Sequence, residues 1–277
     1  MSELRALIDS GITLAAIFEP LQSALADADA VSIRDVMSVR DFDVAGVIED
    51  QNGPVVGVVE KAALVAGTVR EHAALISVES LASDSTPLSA AFSALKARSR
   101  LFVLVGARVS GIATRTDLNK PPVRIYLFGL VSLLEMHLTF WVRTEFTNDD
   151  WQRHVSIGRL KCAQKVQSER QAAGQGSELL DCLQLSDKRD LLLRCSERCE
   201  ALQLPGKKPS TRLFKRAEAL RNLLAHGQHD LIDGSSWDEL FDLVEWLERF
   251  LRASDEHLEQ FAAAQAGREP STPWLSA

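Results

Sequence analysis

Apolar residues recur at near-helical spacing through the first part of the chain. A helix is therefore predicted within the first 30 residues, and Pro20 interrupts it because proline lacks the N–H that a helix interior needs. The apolar positions that carry this pattern are Leu4, Leu7, Ile8, Ile12, Leu14 and Ile17.

From residue 44 the pattern changes to short β-branched runs. These runs form two pairs, and each pair surrounds a turn-forming segment, which predicts two β-hairpins. The runs are residues 44–48, 55–59, 101–105 and 109–113. A further strand is predicted at 75–78 and an amphipathic helix at 88–95. A hairpin preceded by a helix thus occurs twice, which indicates an internal repeat.

Strand signals nearly vanish after Pro121-Pro122. Helical periodicity then predicts helices at 123–146, 151–171, from 178, 187–202, 210–226 and 237–261. Ser210 and Thr211 are predicted to cap the helix that ends at His226. The predicted fold class is an α+β domain at residues 1–120, an all-α helical bundle at 121–262 and a flexible tail at 263–277.

The composition is that of a soluble globular protein, with 46% hydrophobic and 25% charged residues. Charge breaks the longest apolar runs within about 12 residues, so no transmembrane helix is predicted. The start, Met-Ser-Glu-Leu-Arg, lacks the basic and apolar regions of a signal peptide. We therefore expect a cytoplasmic protein with no membrane partner.

The cysteines do not form a metal-binding pattern. Only Cys195 and Cys199 are close in sequence, and no second pair accompanies them; the other two are Cys162 and Cys182. A structural zinc site needs four ligands, and cytoplasmic thiols stay reduced. We expect free thiols and no metal.

The formal net charge of −7 argues against nucleic acid as a partner, but the charge is unevenly distributed. Residues 1–120 contain 11 basic and 15 acidic groups, whereas residues 186–221 contain 10 basic and 5 acidic groups. Local potential decides whether a phosphate backbone is attracted. Because this segment is locally basic, RNA remains a candidate partner.

Residues 111–118 read Gly-Ile-Ala-Thr-Arg-Thr-Asp-Leu and follow the second predicted hairpin. This segment resembles the end of a cystathionine-β-synthase-type (CBS) module, in which a threonine or serine follows the strand and an aspartate comes three residues later. Thr114 and Asp117 stand at those positions. The resemblance implies a CBS-like pair in which both side chains bind the ribose hydroxyls of an adenine nucleotide that acts as a regulatory ligand.

The first repeat departs from that pattern, because Glu60 and Ala63 stand where the threonine and aspartate are expected. The resemblance thus implies one intact and one degenerate nucleotide pocket. Thr114 and Asp117 also suit the N-cap and first turn of a helix, where hydroxyl and acidic side chains are favoured. A purely structural role for the pair stays open.

Residues 221–226 read Arg-Asn-Leu-Leu-Ala-His and end a predicted helix, which Gly227 can terminate in a left-handed conformation. Asn222 and His226 are four residues apart and share a helix face. The segment resembles the R-x4–6-H motif of HEPN ribonucleases, which are all-helical. Residues 185–191 also resemble a segment found in relatives of such domains.

The HEPN resemblance implies metal-independent RNA cleavage that needs no catalytic cofactor and leaves 2′,3′-cyclic phosphate ends. His226 would act as general acid or base, since an ordinary histidine pKa of about 6.5 suits proton transfer. Arg221 would stabilise the charge on the phosphorane, and Asn222 would position water, phosphate or the imidazole. Sites of this family are composite, which implies a homodimer.

Glu135 is a charged residue within an otherwise apolar stretch of the long predicted helix at 123–146. It is a candidate for pairing with Arg221 and orienting the guanidinium, and a surface position or an ordinary salt bridge is the alternative. His137 and His229 are weaker candidates, because each is more commonly a surface or packed histidine.

The sequence therefore favours an endoribonuclease that a nucleotide-sensing CBS-like pair regulates, as in a growth-arrest or anti-phage effector. One alternative is a non-catalytic protein that binds nucleotide or RNA and dimerises. Another is the toxin component of a toxin–antitoxin pair, with an antitoxin as partner. The non-catalytic alternative differs from the enzyme in whether His226 is needed for RNA cleavage, and a neighbouring nucleotidyltransferase or antitoxin gene would favour the toxin.

Overall fold

The computed structural model describes residues 2–226, 230–232 and 234–266. The chain forms two compact units. The N-terminal unit contains residues 6–126, and the helical unit combines residues 1–5 with the chain from Leu127 onward. The first unit contains strands and helices, whereas the second is built from helices. The predicted fold class, α+β followed by all-α, is confirmed.

The first repeat of the N-terminal unit is a three-stranded sheet with one α-helix. Two elements precede this repeat, α1 (Ser2–Gly11) and β1 (Glu19–Pro20). The repeat itself consists of β2 (Ser23–Leu25), α2 (Ala30–Val39), β3 (Val44–Ile48) and β4 (Val55–Glu60). β3 lies between β2, which is parallel to it, and β4, which is antiparallel. Met37 of α2 is buried with Val47 and Val59 of the sheet, so the helix covers one sheet face.

The second repeat has the same order of elements. It contains β5 (Leu81–Ser83), α3 (Leu88–Ala97), β6 (Arg100–Val105) and β7 (Arg108–Thr114). β5 pairs parallel to β6, β6 pairs antiparallel to β7, and β1 adds to the free edge of β7. The internal repeat that the sequence predicted is therefore present.

Two predictions for this unit were wrong in detail. No strand forms at 75–78, where the side chains of Leu75 and Val78 are 89% and 82% exposed and have no core face to cover. The parallel strand β5 follows instead and is too short to show an alternating pattern. The N-terminal helix ends at Gly11, and the apolar residues Leu14 and Ile17 are buried in non-α-helical backbone, with the N–H of Leu14 donating to the Thr86 carbonyl.

The helical unit is organised around α4 (Pro121–Glu145), a helix whose residues Leu130, Leu134 and Leu138 are fully buried. 3-10 turns at Thr147–His154 and Leu180–Cys182 flank the next helix. The remaining helices are α5 (Ile157–Ala172), α6 (Leu185–Leu192), α7 (Ser196–Ala201), α8 (Lys207–Ala225) and α9 (Trp237–Ala266).

The helix ends differ from those predicted. α8 begins at Lys207 with Gly206 as its N-cap, and Ser210, predicted as a cap, is a fully buried residue inside the helix. The predicted helix at 187–202 is two helices, α6 and α7. α9 runs to Ala266, beyond residue 262, where the helical domain was predicted to end. Residues 267–277 of the predicted tail lie outside the described residues.

Within the described part of the chain, α4 is the one helix long and apolar enough to cross a membrane by length and composition alone. The sequence had suggested no such segment. Of its most apolar 18-residue window, 56% is buried inside the protein. Trp141 and Val142, near its end, are also fully buried, which is typical of a core helix.

One buried hydroxyl joins α4 to α9. The Ser254 Oγ accepts a hydrogen bond from Trp141 Nε1 at 2.6 Å and lies 2.6 Å from His137 Nδ1. His137 is fully buried, and its Nε2 lies 3.5 Å from Asp255 Oδ1. Burial, together with the positive charge of Arg5, lowers the pKa of His137 to about 4. His137 is therefore a packed, neutral histidine.

We expect the stability of the helical unit to fall as pH decreases from about 6.5 to about 4. In that window the unfolded chain binds a proton at residue 137 and the folded chain does not, because the folded pKa of His137 is about 4. Above pH 6.5 His137 is neutral in both the folded and the unfolded chain, so the free energy of unfolding no longer depends on its titration. Within the window, the slope of the free energy of unfolding against pH approaches about 1.4 kcal/mol per pH unit.

Urea unfolding followed by tryptophan fluorescence measures this slope, since every tryptophan lies after residue 126. The control is His137→Gln, which keeps a polar group near Ser254 but does not titrate. An equal pH slope in this variant would contradict the assignment.

Candidate active site

The Arg221–His226 segment lies at the end of α8. Phe214 anchors this helix through edge-on contacts with Trp246 and Phe250 of α9, at centroid distances of 5.1 and 5.8 Å. His226 is the C-cap residue, and its N–H donates to the Asn222 carbonyl at 3.1 Å. One face of α8 is therefore held in the core while its last turn is left accessible.

Glu135 contacts two cations from different helices. Its Oε2 lies 3.7 Å from Arg221 Nη1, and its Oε1 accepts a hydrogen bond from Lys188 Nζ at 3.2 Å. The Lys188 side chain is only 3% exposed, whereas Glu135 and Arg221 are about one-third exposed. The structure thus brings Glu135 and Arg221 together, as the charged position in an apolar helix suggested.

Asn222 contacts the same guanidinium. Arg221 Nη2 donates to Asn222 Oδ1 at 3.3 Å, while the Asn222 side chain is exposed. Glu135 and Asn222 therefore hold different nitrogens of Arg221. A guanidinium oriented in this way can present its remaining N–H groups to a phosphate.

His226 is exposed, and its imidazole forms no hydrogen bond with the residues that the structure describes. Its orientation is therefore not determined by this part of the single chain. Gly227, predicted to end the helix, and His229, a weaker candidate, lie outside the described residues.

Lys188 is the residue of this cluster that the sequence reasoning missed. It was counted in the basic segment at 186–221, together with Arg189. Both are buried, and Arg189 donates to Asp190 Oδ1 at 2.8 Å and lies 4.0 Å from Glu218. These two cations contribute to internal pairs rather than to the surface. The signal that could have found them is their position on the apolar face of α6, between Leu185 and Leu192.

Thr114 and Asp117 lie at the end of β7, at the start of a 3-10 turn at Arg115–Asn119. Asp117 Oδ2 accepts from the Thr114 N–H at 2.7 Å and from its hydroxyl at 2.9 Å. Asp117 Oδ1 lies 2.8 Å from Lys120 Nζ. Both carboxylate oxygens are thus engaged in a local cap, so a ribose would have to replace one of these contacts.

A separate cavity of about 380 Å³ lies in the N-terminal unit, and neither Thr114 nor Asp117 lines it. The start of β7 contributes Arg108 and Ser110, and the turn before β4 contributes Gly53 and Pro54. Gln22 contributes from the segment before β2. The cavity therefore combines one cation with several neutral polar groups.

Burial disfavours the thiolates of Cys195 and Cys199. Burial, followed by the nearby Glu145 carboxylate, raises the pKa of Cys195 to about 11 and raises the pKa of Cys199. All four cysteines are free, and the described residues contain no cluster of histidine, cysteine and acidic side chains that could hold a metal ion. Thiolate chemistry at Cys195 and Cys199 is therefore disfavoured at neutral pH.

No family model matches the chain, and no curated protein matches it significantly. Solved CBS-domain pairs are similar to the N-terminal part of the chain. CBSX2 from Arabidopsis thaliana is 20% identical, with a TM-score of 0.35 over 41% of this chain and 95% of that one. A structure of CBSX2 in complex with AMP is 21% identical, with a TM-score of 0.36 over 42% of this chain and 98% of that one.

A putative acetoin utilization protein from Vibrio cholerae is 13% identical, with a TM-score of 0.36 over 41% of this chain and 92% of that one. The CBS domain pair of protein MJ0100, in complex with 5′-methylthioadenosine and S-adenosyl-L-methionine, is 16% identical. Its TM-score is 0.33 over 39% of this chain and 92% of that one. The chain is thus similar to CBS-domain pairs over its N-terminal part, and a helical unit follows.

Proposed function

We propose that the chain is a metal-independent endoribonuclease of the HEPN type, with Arg221, Asn222, His226 and Glu135 at its active site. The observation that carries the proposal is the guanidinium of Arg221, held between Glu135 and Asn222 near the end of the helix whose C-cap is the exposed His226. A held cation and an accessible imidazole at one helix end suit a phosphate that accumulates negative charge during transfer.

In the proposed reaction the 2′-oxygen of RNA attacks the adjacent phosphorus and the bond to the 5′-oxygen breaks. A proton leaves the 2′-hydroxyl, another reaches the departing 5′-oxygen, and the product is a 2′,3′-cyclic phosphate. His226 carries out one of these transfers, and Arg221 stabilises the phosphorane. A second histidine from another copy of the chain would carry out the other, so the proposed unit is a homodimer.

His226 is exposed at the end of α8, so its imidazole is accessible to a facing copy of the chain or to the RNA. A growth-arrest or anti-phage role and an antitoxin partner stay predictions.

We expect His226→Ala to reduce RNA cleavage by about 100-fold or more, because removal of a general acid or base has an effect of this size. Purified protein is incubated with tRNA or total RNA in EDTA, and the ends are tested for cyclic phosphate. The matched control is His154→Ala, an exposed histidine of the same unit. Equal cleavage by the His226→Ala chain would disprove the site assignment.

The role of Glu135 is separable from its effect on stability. Glu135→Gln leaves the buried Lys188 without its anion, and we expect the free energy of unfolding to fall by roughly 3 kcal/mol. The double variant Glu135→Gln/Lys188→Met removes both charges and is expected to recover most of that loss.

The double variant still lacks the carboxylate that holds Arg221. We therefore expect kcat to fall about 10-fold or more while KM changes little, because the phosphorane loses an oriented cation. Lys188→Met alone keeps Glu135 beside Arg221 and serves as the control. A double variant with parental stability and parental kcat would show that Glu135 does not position Arg221.

The second part of the proposal is that the N-terminal unit binds an adenine nucleotide and that this ligand changes the cleavage rate. Two places are candidates. Thr114 and Asp117 would hold the ribose if it displaces the contacts within their cap. The cavity beside Arg108 would hold the phosphate, since Arg108 is exposed and cationic.

Calorimetric titration with AMP and ATP distinguishes these sites. If the ribose binds at the cap, Thr114→Val weakens binding by about 10-fold; if the phosphate binds in the cavity, Arg108→Gln does so. Arg40→Gln, at an exposed arginine outside the cavity, is the control. No heat change with either nucleotide at millimolar concentration would refute nucleotide binding, and an unchanged cleavage rate with bound nucleotide would refute regulation.

A further inference from the structure

The exposed face of α8 carries three cations at its start and continues through Ala219 and Asn222 to His226. Successive positions three and four residues apart lie on one side of a helix. On α8 these positions are Lys208, Arg212, Lys215, Ala219, Asn222 and His226, and all six are exposed. We call this face the α8 track. It begins in the first turn of the helix and reaches the proposed catalytic histidine.

The cations of the α8 track have no acidic partner in the described part of the chain. Lys208, Arg212 and Lys215 form no ion pair there, whereas Arg143 and Arg198 of the same unit contact nearby carboxylates. Like charges at these spacings repel each other and disfavour the helix. The sole acidic residue of α8 is Glu218, which lies beside the buried Arg189.

A shallow groove of about 450 Å³ follows the track from Lys208 to Ala219. Lys208, Arg212 and Lys215 line it, together with Thr211, Arg216 and Ala219. Arg216 also donates to the carbonyl of Glu239, so its guanidinium is held at the edge of the groove. The hydroxyl of Thr211 donates to the Lys207 carbonyl at 2.7 Å, so the groove offers an anionic ligand the N–H donors of its lysine and arginine side chains.

We propose that the α8 track binds the phosphate backbone of single-stranded RNA and leads it to His226. This inference rests on the proposed ribonuclease function and adds a binding subsite to it. The track extends over about 27 Å at 1.5 Å per helical residue. That length matches about eight stacked nucleotides at 3.4 Å each, and fewer if the strand is extended.

The chemistry of the track favours a phosphate backbone over a protein partner. Stable protein interfaces depend on buried aromatic or apolar anchors. The one apolar residue of the track is Ala219, which is too small for that role. A row of cations with no apolar anchor binds a polyanion through its charges, independently of base sequence.

The test uses the full chain and a fluorescein-labelled 12-nucleotide 2′-O-methyl RNA, which cannot be cleaved because its 2′-oxygens are blocked. Binding is measured by anisotropy between 50 and 200 mM NaCl for the parent and for Lys208→Gln/Arg212→Gln/Lys215→Gln. Each lost phosphate contact reduces the slope of log K against log salt by about 0.7. We expect the triple variant to lose about 2 from that slope and at least 10-fold in affinity.

The matched control is Lys161→Gln/Arg194→Gln/Arg252→Gln, which removes three exposed cations of the same unit outside the track. It is expected to keep the parental slope and affinity. In cleavage assays the track variant should raise KM for a 12-nucleotide RNA and leave kcat unchanged. Cleavage of a dinucleotide should be unaffected, because Lys215 lies about 16 Å along the helix from His226.

The outcomes separate this inference from the proposed function. If the parent cleaves RNA and the track variant binds and cleaves RNA as the parent does, RNA binding by the track is refuted. The proposed ribonuclease function is then still supported. If the parent binds the 12-nucleotide RNA and the track variant shows the predicted loss of salt slope and affinity, the track is supported. If the parent in that case never cleaves RNA, the proposed ribonuclease function is refuted. A parent that binds no RNA overturns both.

Discussion

The buried ammonium group of Lys188 is the constraint on which the candidate active site depends. An unpaired charge inside a protein is strongly destabilising, so a lysine that is 3% exposed requires an anion close by. Glu135 is that anion, and it comes from the central helix α4. Because the other oxygen of the same carboxylate lies beside Arg221, the burial of Lys188 links α4, α6 and α8 at the site.

The sequence named Glu135 as a candidate partner of Arg221 because a charged residue in an apolar stretch stands out. It did not predict Lys188, because a lysine in Ser-Asp-Lys-Arg-Asp has the composition of an exposed turn of helix. Burial depends on which neighbouring helix covers that face, and local composition does not contain this information. The same reason explains why Leu14 and Ile17 suggested a longer N-terminal helix: they are buried by tertiary packing in irregular backbone.

In the N-terminal unit, sequence and structure agree on the repeat, and the structure shows the capping role of Thr114 and Asp117 that the sequence left open beside nucleotide binding. The β-branched runs predicted both hairpins, since a half-covered sheet favours such residues. The pair Thr114 and Asp117 was also recognisable, but its hydrogen bonds depend on the turn that follows β7. That turn uses Asp117 as a cap and adds Lys120, so the carboxylate is engaged within the protein. A motif can therefore be present while its functional groups are committed locally.

The hydroxyl of Ser254 has a consequence for a site formed by other residues. A slide of α9 by one helical turn would bring Phe250 or Leu258 to this position, and neither side chain has an oxygen for Trp141 and His137. Ser254 therefore defines the axial register of α9 against α4. Because Phe214 of α8 packs on Trp246 and Phe250 of α9, that register also determines where the last turn of α8 presents His226. The hydroxyl of Ser254 on α9 thus helps to set the position of a histidine on a different helix, α8.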